Sequence, residues 1–152
     1  MKLGIDIGGT SVPFGLVDSK DLIVLEEVLY IKDFKNIEAL LMAIKKRSKE
    51  YDAQVKIEGV GIGAPNGHFK NGTIENAPNL PWKGTIPLRT IAEKIFNAPV
   101  VVDNDANVAA IGEAHHGVGK SFKNFVHLTL GTGLGAGIII DGKIFRGAPM
   151  MA

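Results

Sequence analysis

The sequence contains no cysteine, which removes disulfide frameworks, thiolate metal sites and cysteine nucleophiles together and fits a reducing compartment. An excess of one charge is also missing. Seventeen Lys and Arg stand against sixteen Asp and Glu, a formal charge of +1, so the electrostatic footprint of a nucleic-acid or membrane-surface binder is lacking. Apolar runs are short: after Met1-Lys2 the chain soon meets Asp6 and Gly8-Gly9, and no stretch has signal-peptide or membrane-spanning length. These absences predict a cytoplasmic protein with neither nucleic-acid nor membrane partners. With 152 residues, 45% hydrophobic and 22% charged, the composition is that of an ordinary globular domain.

Glycine is what the sequence has in quantity: nineteen residues, well above the usual share of about 7%. They cluster at Gly4-Ile5-Asp6-Ile7-Gly8-Gly9-Thr10, at Gly59 to Gly67 and at Gly131 to Gly137, each time beside an aliphatic run. Glycine so placed points to backbone that bends tightly or is approached closely by a ligand.

Leu3 to Ile7, Val12 to Val17 and Leu22 to Ile31 read as an antiparallel meander. A helix follows, because Ile37, Leu40, Leu41, Ile44 and Tyr51 share one face, with Asn36 as its N-cap. Val55 to Ile62 reads as a buried strand, Phe69 to Ile74 as an Asn-Gly hairpin, and Pro87 to Phe96 as a short helix. Val100 to Val102 reads as a core strand that ends in Asp103-Asn104-Asp105-Ala106-Asn107, where a helix to about His116 begins. Phe125 to Leu130 and Ile138 to Ile140 read as a last hairpin, with Asp141-Gly142 turning toward Phe145. A shift of 123 positions lays Ile5-Asp6-Ile7-Gly8-Gly9-Thr10 on Leu128-Thr129-Leu130-Gly131-Thr132-Gly133 and Asp18-Ser19-Lys20 on Asp141-Gly142-Lys143. The expectation is one lobe over residues 1–120 and the opening of a related second lobe over 121–152, truncated at Ala152.

Two familiar phosphate motifs fail on context. Gly117-Val118-Gly119-Lys120-Ser121 resembles the end of a P-loop but follows a helix instead of opening one. Gly131-Thr132-Gly133-Leu134-Gly135-Ala136 matches a dinucleotide fingerprint but opens a strand, so no helix dipole faces a pyrophosphate. Glycine hairpins can nonetheless hold phosphate through converging backbone N–H groups, with Thr10 and Thr132 adding hydroxyls. Plain hairpin turns are the competing explanation.

Asp6 shares a strand face with Gly4 and Gly8, where it is either an ordinary exposed residue or a partner for hydrated Mg²⁺ beside a phosphate turn. The junction at Asp103 to Asn107 carries more polar groups than capping alone needs. A carboxylate there can take a proton from a substrate hydroxyl, and amides suit sugar hydroxyls. Asn76 to Trp82 sets amides among prolines beside the only tryptophan, as a rigid connection or as a site with an aromatic wall. The four histidines lack metal-ligand spacing.

Asp6-Ile7-Gly8-Gly9-Thr10, Gly63-Ala64-Pro65-Asn66-Gly67, Ala77-Pro78-Asn79-Leu80, Asn104-Asp105-Ala106-Asn107 and Leu130-Gly131-Thr132-Gly133-Leu134-Gly135, in this order, closely resemble the N-terminal half of the ROK sugar kinases and repressors, most like the bacterial glucokinases. The resemblance implies an α/β fold with a mixed sheet, the actin-like, ribonuclease-H-like ATPase fold, with a ligand cleft between two lobes. It implies ATP-dependent phosphorylation of a hexose, expected to be glucose, at the 6-hydroxyl, with Asp105 as the base. Asn79, Asn104 and Asp105 would bind sugar beside the Gly63-Ala64-Pro65 backbone. Gly8, Gly9 and Thr10 would form the first phosphate turn, Gly131, Thr132 and Gly133 the second, and Asp6 would hold Mg²⁺ through water. The family's structural zinc site and most of its nucleotide lobe would lie beyond Ala152, so this chain is expected to be inactive alone, and the full-length protein leaves room for a homodimer. Pro13 departs from the pattern and puts the first hairpin's geometry in question. A non-catalytic sugar-sensing module of the same family is the alternative, although the first hairpin begins at residue 2, with no preceding helix-turn-helix, and that favours the kinase branch.

Overall fold

Alternating apolar residues fold the start of the chain into strands β1 (Lys2–Asp6), β2 (Ser11–Val17) and β3 (Ile23–Tyr30), and a computed structural model describes residues 1–131 and 133–148. Leu3 and Ile5 of β1 and Val12, Phe14 and Leu16 of β2 all point to one side and are buried. After a 3₁₀ turn, helix α1 (Ile37–Tyr51) begins where the Asn36 side chain accepts a hydrogen bond from the Ala39 N–H at 2.9 Å, the expected cap. Strand β4 (Gly59–Ala64) is shorter than expected. Residues 55–58 stay outside it, although Glu58 N–H extends the contact with β1 by donating to the Met1 carbonyl.

Strands β5 (Gly67–His68), β6 (Thr73–Glu75) and β7 (Thr85–Ile86) form a small antiparallel sheet. The hairpin signal at Asn71-Gly72 marks a four-residue connection, in which only Gly72 has positive φ. The strand at 85–86 carries no alternation long enough to read. Helix α2 (Leu88–Phe96) follows Pro87, and strand β8 (Val100–Asn104) runs two residues beyond the expected Val102 before α3 (Asp105–His116) starts.

The main sheet has the order β3-β2-β1-β4-β8, with β1, β4 and β8 parallel and β2 and β3 antiparallel. Helices α1 and α2 bury Leu40, Leu41, Ile44, Leu88 and Ala92 against one face of it, in a core shared with Leu3, Ile5, Val60, Ile62 and Val102. Pro13 lies on an interior strand, in register with Val28, one residue past the end of the β1–β2 ladder, so the hairpin forms despite its missing N–H.

After a 3₁₀ turn over 118–121, strands β9 (Phe125–Leu130), β10 (Leu134–Ile140) and β11 (Lys143–Phe145) form a second meander. Strand β10 starts four residues before the expected Ile138. Gly135 and Gly137 are therefore strand residues, and a Cβ on Gly137 would stand 2.5 Å from both the Ala106 carbonyl and the Ala110 methyl of α3. Their bareness lets α3 lie directly on the second meander, while Val108 of the same helix covers Gly63 of β4.

The internal repeat needs one adjustment. Strand β9 keeps the shift of 123 from β1, but Leu128 pairs with Ala136 as Ile5 pairs with Phe14, which shifts the second strand by 122. The second turn is thus one residue shorter than the first. Leu3, Ile5 and Ile7, all buried, correspond to Val126, Leu128 and Leu130, which are 56%, 61% and 85% exposed. The face that the first meander buries under helices is open in the second.

Candidate functional site

The two glycine turns, the loop carrying Asn79 and the β8–α3 junction converge on one polar cleft of about 440 Å³. Its walls include Asp6, Gly8 and Gly9 from the first turn, Gly131 and Gly133 from the second, and Asn79, Asn104 and Asp105 between them. A groove of similar size on the open face of the main sheet has largely apolar walls, with Pro13, Val17 and Val101 among them; Asp6 is shared with the cleft, and Asp103 and Arg146, which also line it, are paired with each other.

Close backbone packing sets this geometry. A Cβ on Gly8 would stand 2.7 Å from the Ser11 carbonyl oxygen, and one on Gly9 would stand 3.0 Å from the carbonyl oxygen of Asn79. Bare backbone therefore closes the turn and brings Asn79 against it. At the junction, the Asn104 Oδ1 and the Asp105 Oδ1 both accept from the Ala106 N–H, at 3.0 and 2.8 Å. Capping thus engages one carboxylate oxygen of Asp105, and Oδ2 has no hydrogen bond among the described residues.

Asp6 opens onto the same cleft. Loss of hydration, and next the negative Asp105, raise its pKa above the usual aspartate value. Two carboxylates facing one cavity are short of positive charge, which fits a hydrated divalent cation held through one or two of them. Among the described residues no cluster of three or more His, Asp or Glu could cage a metal directly.

Not every expected residue reaches the cleft. Pro65 does, but Gly63 and Ala64 lie behind it in β4. Thr10 lines a neighbouring hollow with Tyr30, Lys32 and Asn79, and Thr132 lies outside the described residues. Trp82 packs against the hydrophobic core and supplies no aromatic wall to the cleft. The cleft gains Asn66 and Thr129, which sequence reasoning missed. Asn66 has φ +51° between Pro65 and Gly67, a left-handed turn that an Asn following proline signals. The Gly117–Ser121 segment is a 3₁₀ turn with Gly119 buried, not the start of a helix, and His68 accepts from the Asn71 N–H within a loop.

Residues 2–152 match the ROK family. The chain belongs to that family. It is 39% identical to a glucokinase of Streptomyces coelicolor over 148 residues, covering 97% of this chain and 46% of the relative. It is equally similar, at 40%, to a xylose repressor of Caldicellulosiruptor bescii, covering 96% of this chain and 38% of that protein. A crystal structure of a Streptomyces griseus ROK glucokinase with glucose and AMPPNP superposes with a TM-score of 0.80 at 38% identity, covering 96% of this chain and 46% of that one. The fold is the actin-like ATPase fold of ROK sugar kinases. This chain spans less than half the length of these relatives, and among the described residues no helix is long and apolar enough to cross a membrane.

Proposed function

We propose that this ROK chain forms the sugar-binding and catalytic lobe of an ATP-dependent hexose kinase acting on the 6-hydroxyl, with glucose as the expected sugar, and that residues 121–152 open its nucleotide lobe. The observation that carries this reading is the convergence of two glycine turns, two asparagines and a carboxylate with one free oxygen on a single polar cleft. Asn79 and Asn104 offer donors and acceptors that orient sugar hydroxyls. The free Oδ2 of Asp105 accepts the proton of the attacking hydroxyl, a role worth about 10²–10⁴ in rate. Gly8, Gly9, Gly131 and Gly133 present backbone to phosphate oxygens without side-chain obstruction. Asp6 would hold a hydrated Mg²⁺. ATP would supply the phosphoryl group, leaving ADP as the bond to the hydroxyl oxygen forms, and the metal would neutralise the charge that develops.

The second reading, a sugar-sensing module without turnover, is favoured by the similarity to the xylose repressor. Hexose-dependent ADP release separates the two. The assay uses this chain and a chimera in which it replaces the matching part of the Streptomyces coelicolor glucokinase. The kinase reading expects turnover from the chimera; a folded chimera that binds glucose and releases no ADP supports the sensor.

A further inference from the structure

We propose that Asp103 and Arg146 are positioning residues that set the β8–α3 junction, and through it Asp105, relative to the second meander; this rests on the kinase reading for its catalytic meaning. Asp103 is 2% exposed, an unusual place for a carboxylate unless it is paired. Its Oδ2 accepts from Nε of Arg146 at 2.8 Å, and Nη2 of the same guanidinium stands 2.7 Å away in the ion pair. Its Oδ1 accepts from the Asn104 N–H at 2.9 Å and from Asn107 Nδ2 at 3.2 Å. Both oxygens are therefore engaged, and each partner is structurally distinct. Asn104 is the N-cap of α3, Asn107 lies in the helix's first turn, and Arg146 follows β11. The guanidinium also stacks on Phe69 at 3.7 Å from the ring centroid, which adds the loop after β5 to the assembly.

The consequence for the site is direct. The Asp103 carboxylate fixes the peptide N–H of Asn104, whose own side chain shares the Ala106 N–H with Asp105. Arg146 ties this chain of bonds to the meander that bears Gly131 and Gly133. A base on one element and a phosphate turn on another have to keep a fixed separation for in-line transfer. No other ion pair in the described residues joins the main sheet's elements to the second meander. Lysine would preserve charge at 146 but lose the Nε donor and the planar stacking on Phe69.

The test is amide NMR on this chain and on R146K. In R146K hydrogen-exchange protection of the Ala106 amide, which both Asn104 Oδ1 and Asp105 Oδ1 accept from, is expected to fall by about tenfold or more, with Ile5 and Ile62 unchanged. A role confined to general stability would lower all these amides together, and that result overturns the proposal. Should R146K fail to fold, D103N, which is isosteric, is read in the same way. Glucose-dependent ADP release by the chimera keeps the two ideas apart. A folded chimera without turnover contradicts the sugar-kinase reading, while an Ala106 amide that depends on Arg146 leaves the positioning role standing.

Discussion

Asp105 and Asp6 share a cleft but occupy different electrostatic positions, and their substitutions separate accordingly. Replacing Asp105 with Asn in an active chimera keeps the shape and the hydrogen bond to Ala106 but removes the proton acceptor. Turnover is expected to fall by about 10²–10⁴, with sugar affinity changing by less than about tenfold; steady-state kinetics with a glucose-binding titration check this. Asp6 behaves in the opposite sense in the unliganded protein. Its pKa is raised by loss of hydration and by Asp105, so the folded state holds the proton more tightly than the unfolded chain does. Stability from this residue therefore declines as pH rises from the unfolded value through the raised folded value. Asp6→Asn should raise the melting temperature at pH 7, and the gain should vanish once the pH falls below the ordinary aspartate range; thermal melts across pH test it. The polar excess at 103–107 marked the junction that lines the cleft, whereas the Pro65-Asn66 turn signal was there to be read but does not say which cavity the turn faces.

Element boundaries followed the sequence where a local device enforces them. Asn36 caps α1 by a bond visible as a residue preference, and Asn36→Ala is expected to lower stability by about 1 kcal/mol in urea denaturation, with Asn36→Asp nearly neutral. The start of β10 was not legible, because Gly135 and Gly137 look like turn residues until α3 is seen lying on them. The same holds for Gly67, whose missing side chain faces the Asp103 carbonyl; a Cβ there would overlap backbone. Gly67→Ala should cost about 1–3 kcal/mol or more, while Gly4→Ala, with nothing within 4 Å, should be close to neutral. Glycines that look alike in the sequence thus have different reasons, and only packing distinguishes them.

At the scale of the whole molecule, two meanders of one design meet through α3, and they differ in what covers them. Val126, Leu128, Leu130 and Leu134 form an exposed apolar face, where their counterparts in the first meander are buried. Exposed contiguous apolar surface promotes association. This chain is therefore expected to self-associate with rising concentration, and Leu128→Lys with Leu134→Lys to shift sedimentation profiles toward monomer. The fold class and the convergence of the glycine turns were legible from motif order, because each motif sits at the end of a strand that the main sheet or the second meander must place. The contact between meanders was not, since it depends on α3 reading Gly63 on one side and Gly137 on the other.

The central claim is that this cleft transfers phosphate to a hexose with Asp105 as the base. The most direct measurement is glucose-dependent ADP release by the chimera that carries this chain, compared with its Asp105→Asn form. Turnover that requires glucose and collapses by about 10² or more on substitution is the predicted result. Turnover that survives the substitution would contradict the role of Asp105, and glucose binding without any turnover would place the chain with the sensors instead.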